Sequence, residues 1–338
     1  MPEMRKNLLT DNWVIMAPER AKRPHSHISL DVGHLHAEHH HECHFCYGNE
    51  HETPEEVLAY GRKTNIANSP GWELRVVSNR FPAVDMEKQF SENFIQPLEV
   101  SSYAEGRAEV IIETPHHSKN MAFYNLNEME RVLNAYKERY IAISQEKHIK
   151  YVIIFKNYGK KAGASISHPH SQIIGIPIIP PVVKQELSLA KKYYKDKKKC
   201  IYCDMINRQL MEKSRVVLEN EEFICFMPYA ARSPFETWIL PKFHSDSFEF
   251  MDNLQIKKLA EILKAVLYKI HEATDNAPYN YFIHTSPVKT DTAEYYHWHV
   301  ELVPRTTTHA GFELGTGIYI NISTPEENAK LLKSIKLS

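Results

Sequence analysis

Four of the five cysteines of this chain fall at spacings that suit metal or redox chemistry. Cys43 and Cys46 form one C-x-x-C pair, and Cys200 and Cys203 form a second. Such a pair serves either thiol exchange or half of a tetrahedral zinc shell. Two pairs in a chain that also holds 20 His favour zinc, and each pair then needs two more ligands. The fifth, Cys225, sits in the apolar run Phe223-Ile224-Cys225-Phe226 and reads as a small core residue. The histidines recur as His168-Pro169-His170 and His297-Trp298-His299, with His117 and His244 upstream. In a strand, residues i and i+2 share a face, so each H-x-H element sets two imidazoles side by side. Pro169 lacks a donor, which puts its element at a strand end or sheet edge. One shell is therefore Cys43, Cys46, His117 and one of His168 or His170. The other is Cys200, Cys203, His244 and one of His297 or His299. A closed shell of four protein ligands marks a structural ion, so two structural zinc ions are expected. One imidazole per shell is left over. A neutral imidazole is a competent nucleophile toward phosphorus once a backbone hydrogen bond fixes its tautomer.

The elements that must position these groups repeat along the chain. Each C-x-x-C pair is followed by a strand-like run that ends near a histidine, then a helix, a strand and the H-x-H element. The first helix is expected to begin near Asn127, with Glu130 three residues on, and the second near Asp252, with Gln255 three residues on; both read as capping boxes. Met129, Val132, Leu133, Tyr136 and Tyr140 form an apolar stripe on the first, and Ile256, Leu259, Leu263, Val266 and Ile270 one on the second. Strands are expected over residues 151–155 and 279–284. His117 and His244 lie 127 residues apart, whereas the two H-x-H elements lie 129 apart. The C-x-x-C pairs lie 157 apart, so the first copy carries about 30 extra residues, expected within 55–107. The reading is an α+β chain of two fused halves, residues 1–190 and 191–338. Each half is an antiparallel sheet with helices on one face.

Composition narrows the function. Hydrophobic residues make up 43% and charged residues 25%, the balance of a globular protein, and 338 residues suit two units of ~150. Lys and Arg number 41 against 42 Asp and Glu, so no basic field points to nucleic acid. No apolar run approaches the ~20 residues of a membrane span, and residues 1–6 lack the apolar stretch of a secretory signal. A cytoplasmic protein is expected. The basic run over residues 191–199 reads as a solvated helix end or linker, and the six His between His34 and His44 as a loop.

Several stretches resemble the galactose-1-phosphate uridylyltransferase family of the histidine-triad superfamily. They are Gly163-Ala164-Ser165-Ile166-Ser167-His168-Pro169-His170-Ser171-Gln172, residues 13–24, Cys43-His44-Phe45-Cys46, Val77-Ser78-Asn79-Arg80-Phe81-Pro82 and His297-Trp298-His299-Val300-Glu301. The resemblance implies two histidine-triad-like halves and ping-pong nucleotidyl transfer between a nucleotide sugar and a sugar 1-phosphate. It makes His170 the nucleophile and His168 a zinc ligand whose carbonyl orients His170. Gln172 stands where hydrolytic relatives carry a third His; an amide can hold phosphoryl oxygens without passing protons. Ser165, Asn157 and Gly163 match phosphate-contacting positions, and Asn79 and Phe81 match the stretch that lines base and ribose. Arg20 and Arg23 match a pair that binds sugar phosphate from the neighbouring subunit, so a homodimer is implied. For the second metal, the pseudo-symmetric set ending in His297 stands against Glu186, His284, His297 and His299, the type some relatives use. Residues 310–317 resemble the plant-type ADP-glucose phosphorylases. A uridylyltransferase acting on UDP-glucose and hexose 1-phosphate is the first expectation. An adenylyl-transferring phosphorylase is the second, and a non-catalytic zinc-stabilised nucleotide-binding protein the third.

Overall fold

The computed structural model describes residues 2–18, 39–87, 90–91, 93–96 and 99–337. Its strands, in chain order, are β1 Glu3–Lys6, β2 Trp13–Met16, β3 Glu56–Tyr60, β4 Leu74–Ser78, β5 Asn93–Gln96, β6 Glu99–Ser101, β7 Arg107–Ile112, β8 Tyr151–Tyr158, β9 His170–Ile176, β10 Val216–Glu219, β11 Phe223–Phe226, β12 Thr237–Pro241, β13 Tyr279–His284, β14 His299–Pro304 and β15 Tyr319–Asn321. The helices are α1 Leu126–Ser144, α2 Pro181–Lys197, α3 Ile201–Glu212, α4 Asn253–Thr274, α5 Gly311–Thr316 and α6 Pro325–Ser334.

Ten strands form one antiparallel sheet in the order β10-β11-β12-β14-β13-β8-β9-β7-β4-β3. The two copies of the repeat therefore meet in the middle, where β13 pairs with β8. The apolar stripes of α1 and α4 bury against one face of this sheet. Met129, Val132, Tyr136, Leu259, Leu263 and Val266 share a core with Val152, Ile154, Ile283 and Val300. The period-3.6 stripes and the alternating strands thus close one hydrophobic layer. A small sheet, β1-β2-β15, ties the two ends of the chain together, and β5 and β6 form a hairpin. That hairpin falls inside the span where the first copy was expected to carry extra residues.

The capping box of α4 is the expected Asp252–Gln255 pair, but α1 starts earlier, from Asn125 as cap with Glu128 as its partner. Both Asn127 and Asn125 have an acid three residues on. The cap is Asn125, whose Oδ1 accepts from the Glu128 N–H at 2.9 Å while the Glu128 carboxylate accepts from the Asn125 N–H at 2.8 Å. The basic run forms the end of α2 and the turn after it. Cys225 lies fully buried in β11, as expected.

Candidate active site and metal centres

The two C-x-x-C pairs each meet two histidines. In the first copy, Cys46 Sγ lies 3.3 Å from His117 Nδ1 and 3.6 Å from His168 Nδ1, and Cys43 Sγ lies 3.8 Å from His168 Nδ1. In the second, Cys203 Sγ lies 3.3 Å from His244 Nδ1 and 3.7 Å from His297 Nδ1. Tetrahedral zinc with its usual sulfur and nitrogen bond lengths needs S···N edges of about 3.5 Å, so both sets have the size of a zinc shell. The opposite ring nitrogens are anchored. His168 Nε2 faces Thr114 O at 2.8 Å, His117 Nε2 faces Ser167 Oγ at 3.0 Å and His297 Nε2 faces Pro241 O at 2.9 Å. His244 Nε2 faces Ala293 O. A backbone carbonyl on one nitrogen fixes the proton there and leaves Nδ1 as the ligand. Burial pushes the Cys46 thiol up to about 11, and burial lowers His168 to about 3. Cys200 is held down to about 3, first by a hydrogen bond from Cys203, and Cys203 is raised in turn. In each set the ligand atoms of two thiols and two imidazoles lie within 4.8 Å of one another. Both sets can therefore hold a metal ion.

The first shell fixes the next histidine. His170 Nδ1 lies 2.8 Å from His168 O, so that nitrogen carries the proton and Nε2 keeps its lone pair. Burial is the main cause that lowers the His170 pKa; Lys156 adds to it, while the bond to His168 O opposes it. The Phe45 ring, from inside the first C-x-x-C, meets the His170 ring at 5.5 Å. The metal loop thus also walls the imidazole.

The placing of Asn157, Gly163 and Ser165 follows from how β8 leaves β9. Pairing of those strands ends at Phe155–Gln172, while β8 stays with β13 as far as Tyr158–Tyr279. The chain from Gly159 to Ser167 crosses the gap. Gly163 has φ +90°, a left-handed conformation that suits glycine, and a Cβ there would meet Asn157 Nδ2 at 3.9 Å. Ser165 is exposed on this loop, and Gln172 is half-buried on β9. Asn157 Oδ1 accepts from Asn280 Nδ2 at 2.8 Å. A cavity of about 570 Å³ opens beside Asn157, with Phe155 and Phe282 among its apolar walls and Arg305 and His309 among its polar ones. Farther along the same half, Asn79 Oδ1 accepts from the Phe81 N–H at 3.0 Å, and Phe81 is 85% exposed. An apolar ring held out in solvent by its own turn is a surface on which a planar base can stack. Arg20 and Arg23 lie outside the described residues.

The second copy repeats the geometry but closes it. His299 Nδ1 lies 3.1 Å from His297 O, as in the first copy. Yet His299 is 0% exposed against 7% for His170, and its Nε2 is buried with no hydrogen bond. Glu301 stands where Gln172 stands, 3.6 Å from His299 Nε2, and Arg232 is paired to it. Glu186, His284, His299 and Glu301 form a third group. His297 is not in that group, because its Nδ1 turns to Cys203. The pseudo-symmetric set thus comes together, and the Glu186–His284 pair assembles separately, its Nδ1–Oε1 distance 3.0 Å.

Sequence reasoning missed Lys156, Glu113, Asn280, Phe45 and Arg232. Phe45 stood inside a motif already singled out. Lys156, Glu113 and Asn280 meet their partners across the sheet, and Arg232 reaches Glu301 from a turn 69 residues away, so no local pattern marks them.

The profile of the galactose-1-phosphate uridyl transferase N-terminal domain matches residues 1–180. A second profile, for a domain of unknown function, matches residues 108–336. The chain is 36% identical to the ADP-glucose phosphorylase of Arabidopsis thaliana over 342 residues, covering 100% of this chain and 94% of that protein. It is 30% identical to the galactose-1-phosphate uridylyltransferase of Thermotoga maritima over 348 residues, covering 100% and 99%. The crystal structure of the Arabidopsis thaliana phosphorylase with bound ADP-glucose superposes with a TM-score of 0.84, covering 100% of both chains.

Proposed function

The chain belongs to the galactose-1-phosphate uridylyltransferase family, and we propose that it moves a nucleoside monophosphate from a nucleotide sugar to a phosphate acceptor by way of His170. The observation that carries this is the 2.8 Å contact of His170 Nδ1 with His168 O, which leaves Nε2 with its lone pair. In the first step Nε2 attacks the α-phosphorus, a P–N bond forms, the P–O bond to the β-phosphate breaks and sugar 1-phosphate leaves. In the second step an acceptor phosphate oxygen attacks the same phosphorus and releases His170. Inorganic phosphate as acceptor yields a nucleoside diphosphate, and a hexose 1-phosphate yields a new nucleotide sugar. Gln172, Ser165 and Asn157 supply neutral donors to the phosphoryl oxygens, which gather charge in both transition states. Asn79 and Phe81 take the base and ribose. Arg20 and Arg23 take the sugar phosphate across a homodimer. Zinc, one ion on Cys43, Cys46, His117 and His168 and one on Cys200, Cys203, His244 and His297, would supply folding energy and rigid placement. Residues 1–190 then act as the catalytic half and 191–338 as its support.

For the base we favour adenine, with ADP-glucose as donor. The support is the 36% identity and 0.84 TM-score to an ADP-glucose phosphorylase, against 30% identity to a uridylyltransferase. The uridylyl reading is kept as second because the uridyl transferase profile covers residues 1–180 of the first half. Incubation with ADP-glucose and, separately, UDP-glucose carrying α-³²P decides between them. Acid-labile label on wild type and none on His170→Ala, with metal retained, is the expected result; the donor that labels names the base. Equal labelling of His170→Ala would refute the mechanism. No label from either donor would favour the non-catalytic reading.

A further inference from the structure

Behind the imidazole of His170, on the helix side of the sheet, lies a buried charge pair that the transfer scheme does not use. Lys156 and Glu113 are each 2% exposed, and Lys156 Nζ lies 2.7 Å from Glu113 Oε2. The same Nζ donates to His170 O at 3.0 Å. Glu113 also receives the Tyr124 hydroxyl at 3.1 Å, and its own N–H donates to Pro169 O at 3.2 Å. The pair therefore grips the His-Pro-His segment at two consecutive carbonyls.

The sheet explains why a side chain is needed there. The β8–β9 ladder ends at Phe155–Gln172, so His170 starts its strand beyond the last β8 partner. The departure of β8 is what opens the gap for the Gly159–Ser167 loop. It also takes away the neighbour that would otherwise bond the His170 carbonyl. A buried carbonyl needs a donor. Lys156 is the first residue of β8 past the last paired one, and its side chain reaches back across the widening gap. An apolar pair would fill the same core space at less desolvation cost. What it would not do is bond the His170 carbonyl.

We infer that Lys156, held by Glu113, is a positioning residue for transfer at His170: it replaces the missing ladder bond and so sets the direction in which the imidazole offers Nε2. The inference rests on the reading of His170 as nucleophile. It concerns the angle of attack, which acts on the chemical step and not on the affinity for nucleotide sugar.

The test removes both charges together, since removing one would strand the other in the core. Lys156→Met with Glu113→Gln deletes the donor to His170 O. Lys156→Gln with Glu113→Gln keeps an amide donor without the charge. Each is measured for zinc content, Tm, KM and the single-turnover rate of label transfer from ADP-glucose and UDP-glucose. The Met pair should lose about 10- to 100-fold in single-turnover rate with KM within about 3-fold of wild type. The Gln pair should stand about 10-fold above the Met pair. Wild-type labelling with an undiminished rate in the Met pair overturns the inference and leaves the transfer reading intact. Equal losses in both pairs overturn it as well, because a donor would then not matter. No labelling of wild type refutes the transfer reading itself. If the Met pair does not fold with its metal, the Gln pair decides against wild type: a fall beyond about 100-fold overturns the inference, and a smaller one upholds it.

Discussion

Asn280 on β13 donates from Nδ2 to Asn157 Oδ1 on β8 at 2.8 Å, and the same amide donates to Ala162 O at 2.8 Å. Both hydrogens of one side chain are thus spent on the other copy, one on β8 and one on the loop that follows it. Because Asn157 Oδ1 accepts this bond, its Nδ2 is the group left to face Gly163 and the loop. A residue of the second copy thereby chooses which end of Asn157 the site presents.

Asn280→Ala should free the Asn157 amide to turn and loosen the Ala162 carbonyl. Loss of one well-placed hydrogen bond predicts about a 10-fold fall in single-turnover label transfer, with metal content unchanged. Asn280→Asp should do at least as much harm, since a carboxylate cannot donate to Asn157 Oδ1. A rate equal to wild type in both variants would show that Asn157 needs no such support.

Metal loss should be separable by copy. Cys46→Ser should lower zinc from about two to about one per chain and abolish label transfer, because His168 would no longer be held. Cys203→Ser should lower zinc equally, with Tm falling by more than about 10 °C, yet leave measurable transfer at low temperature. Elemental analysis with the labelling assay checks both. Complete loss of transfer in Cys203→Ser at full folding would contradict the division of labour.

Gln172→His restores a group that passes protons beside the phosphoryl-histidine. Label should still load onto His170 but should leave to water at least about 10-fold faster than in wild type. The rate of label release without acceptor measures this, and an unchanged rate would remove Gln172 as the guard against hydrolysis.

Acid should weaken the edge of the sheet. Burial raises the pKa of Glu56, but hydrogen bonds from Arg62 and Arg75 outweigh it and hold the carboxyl below its ordinary value of 4.5. A depressed carboxyl gives stability that is present above that value and lost as pH falls through the folded one. Glu56→Gln should therefore lower Tm at pH 7, where Arg75 is left buried without its carboxylate, and should flatten the fall of Tm between about pH 5 and 3. Parallel wild-type and variant curves across that range would show that the pair is not the acid-sensitive element.

The motif residues were legible because their partners are also motif residues. Two thiols at i and i+3 and two imidazoles at i and i+2 predict each other, and the repeat offsets carry one copy onto the next. The supporting residues were not legible. Lys156 meets His170 only because β8 peels away, and Asn280 meets Asn157 only through the β8–β13 register. Neither has a local pattern. The third acidic group was half-read: Glu186, His284 and His299 do come together, but Glu301 takes the place expected for His297. The seat of His297 was decided by Cys203, 94 residues away in sequence.

The β8–β13 seam has a consequence for how the chain can be divided. If the chain is cut in the turn between α2 and α3, each piece keeps its own C-x-x-C pair but bares an inner strand, β8 or β13, as a new edge. Such edges seek a partner. Two coexpressed fragments should find each other and rebuild the site, as a split reporter does, while either one alone should aggregate. The β8–β13 seam would then act as a recognition surface between two fragments, joined through the same register that joins them within one chain.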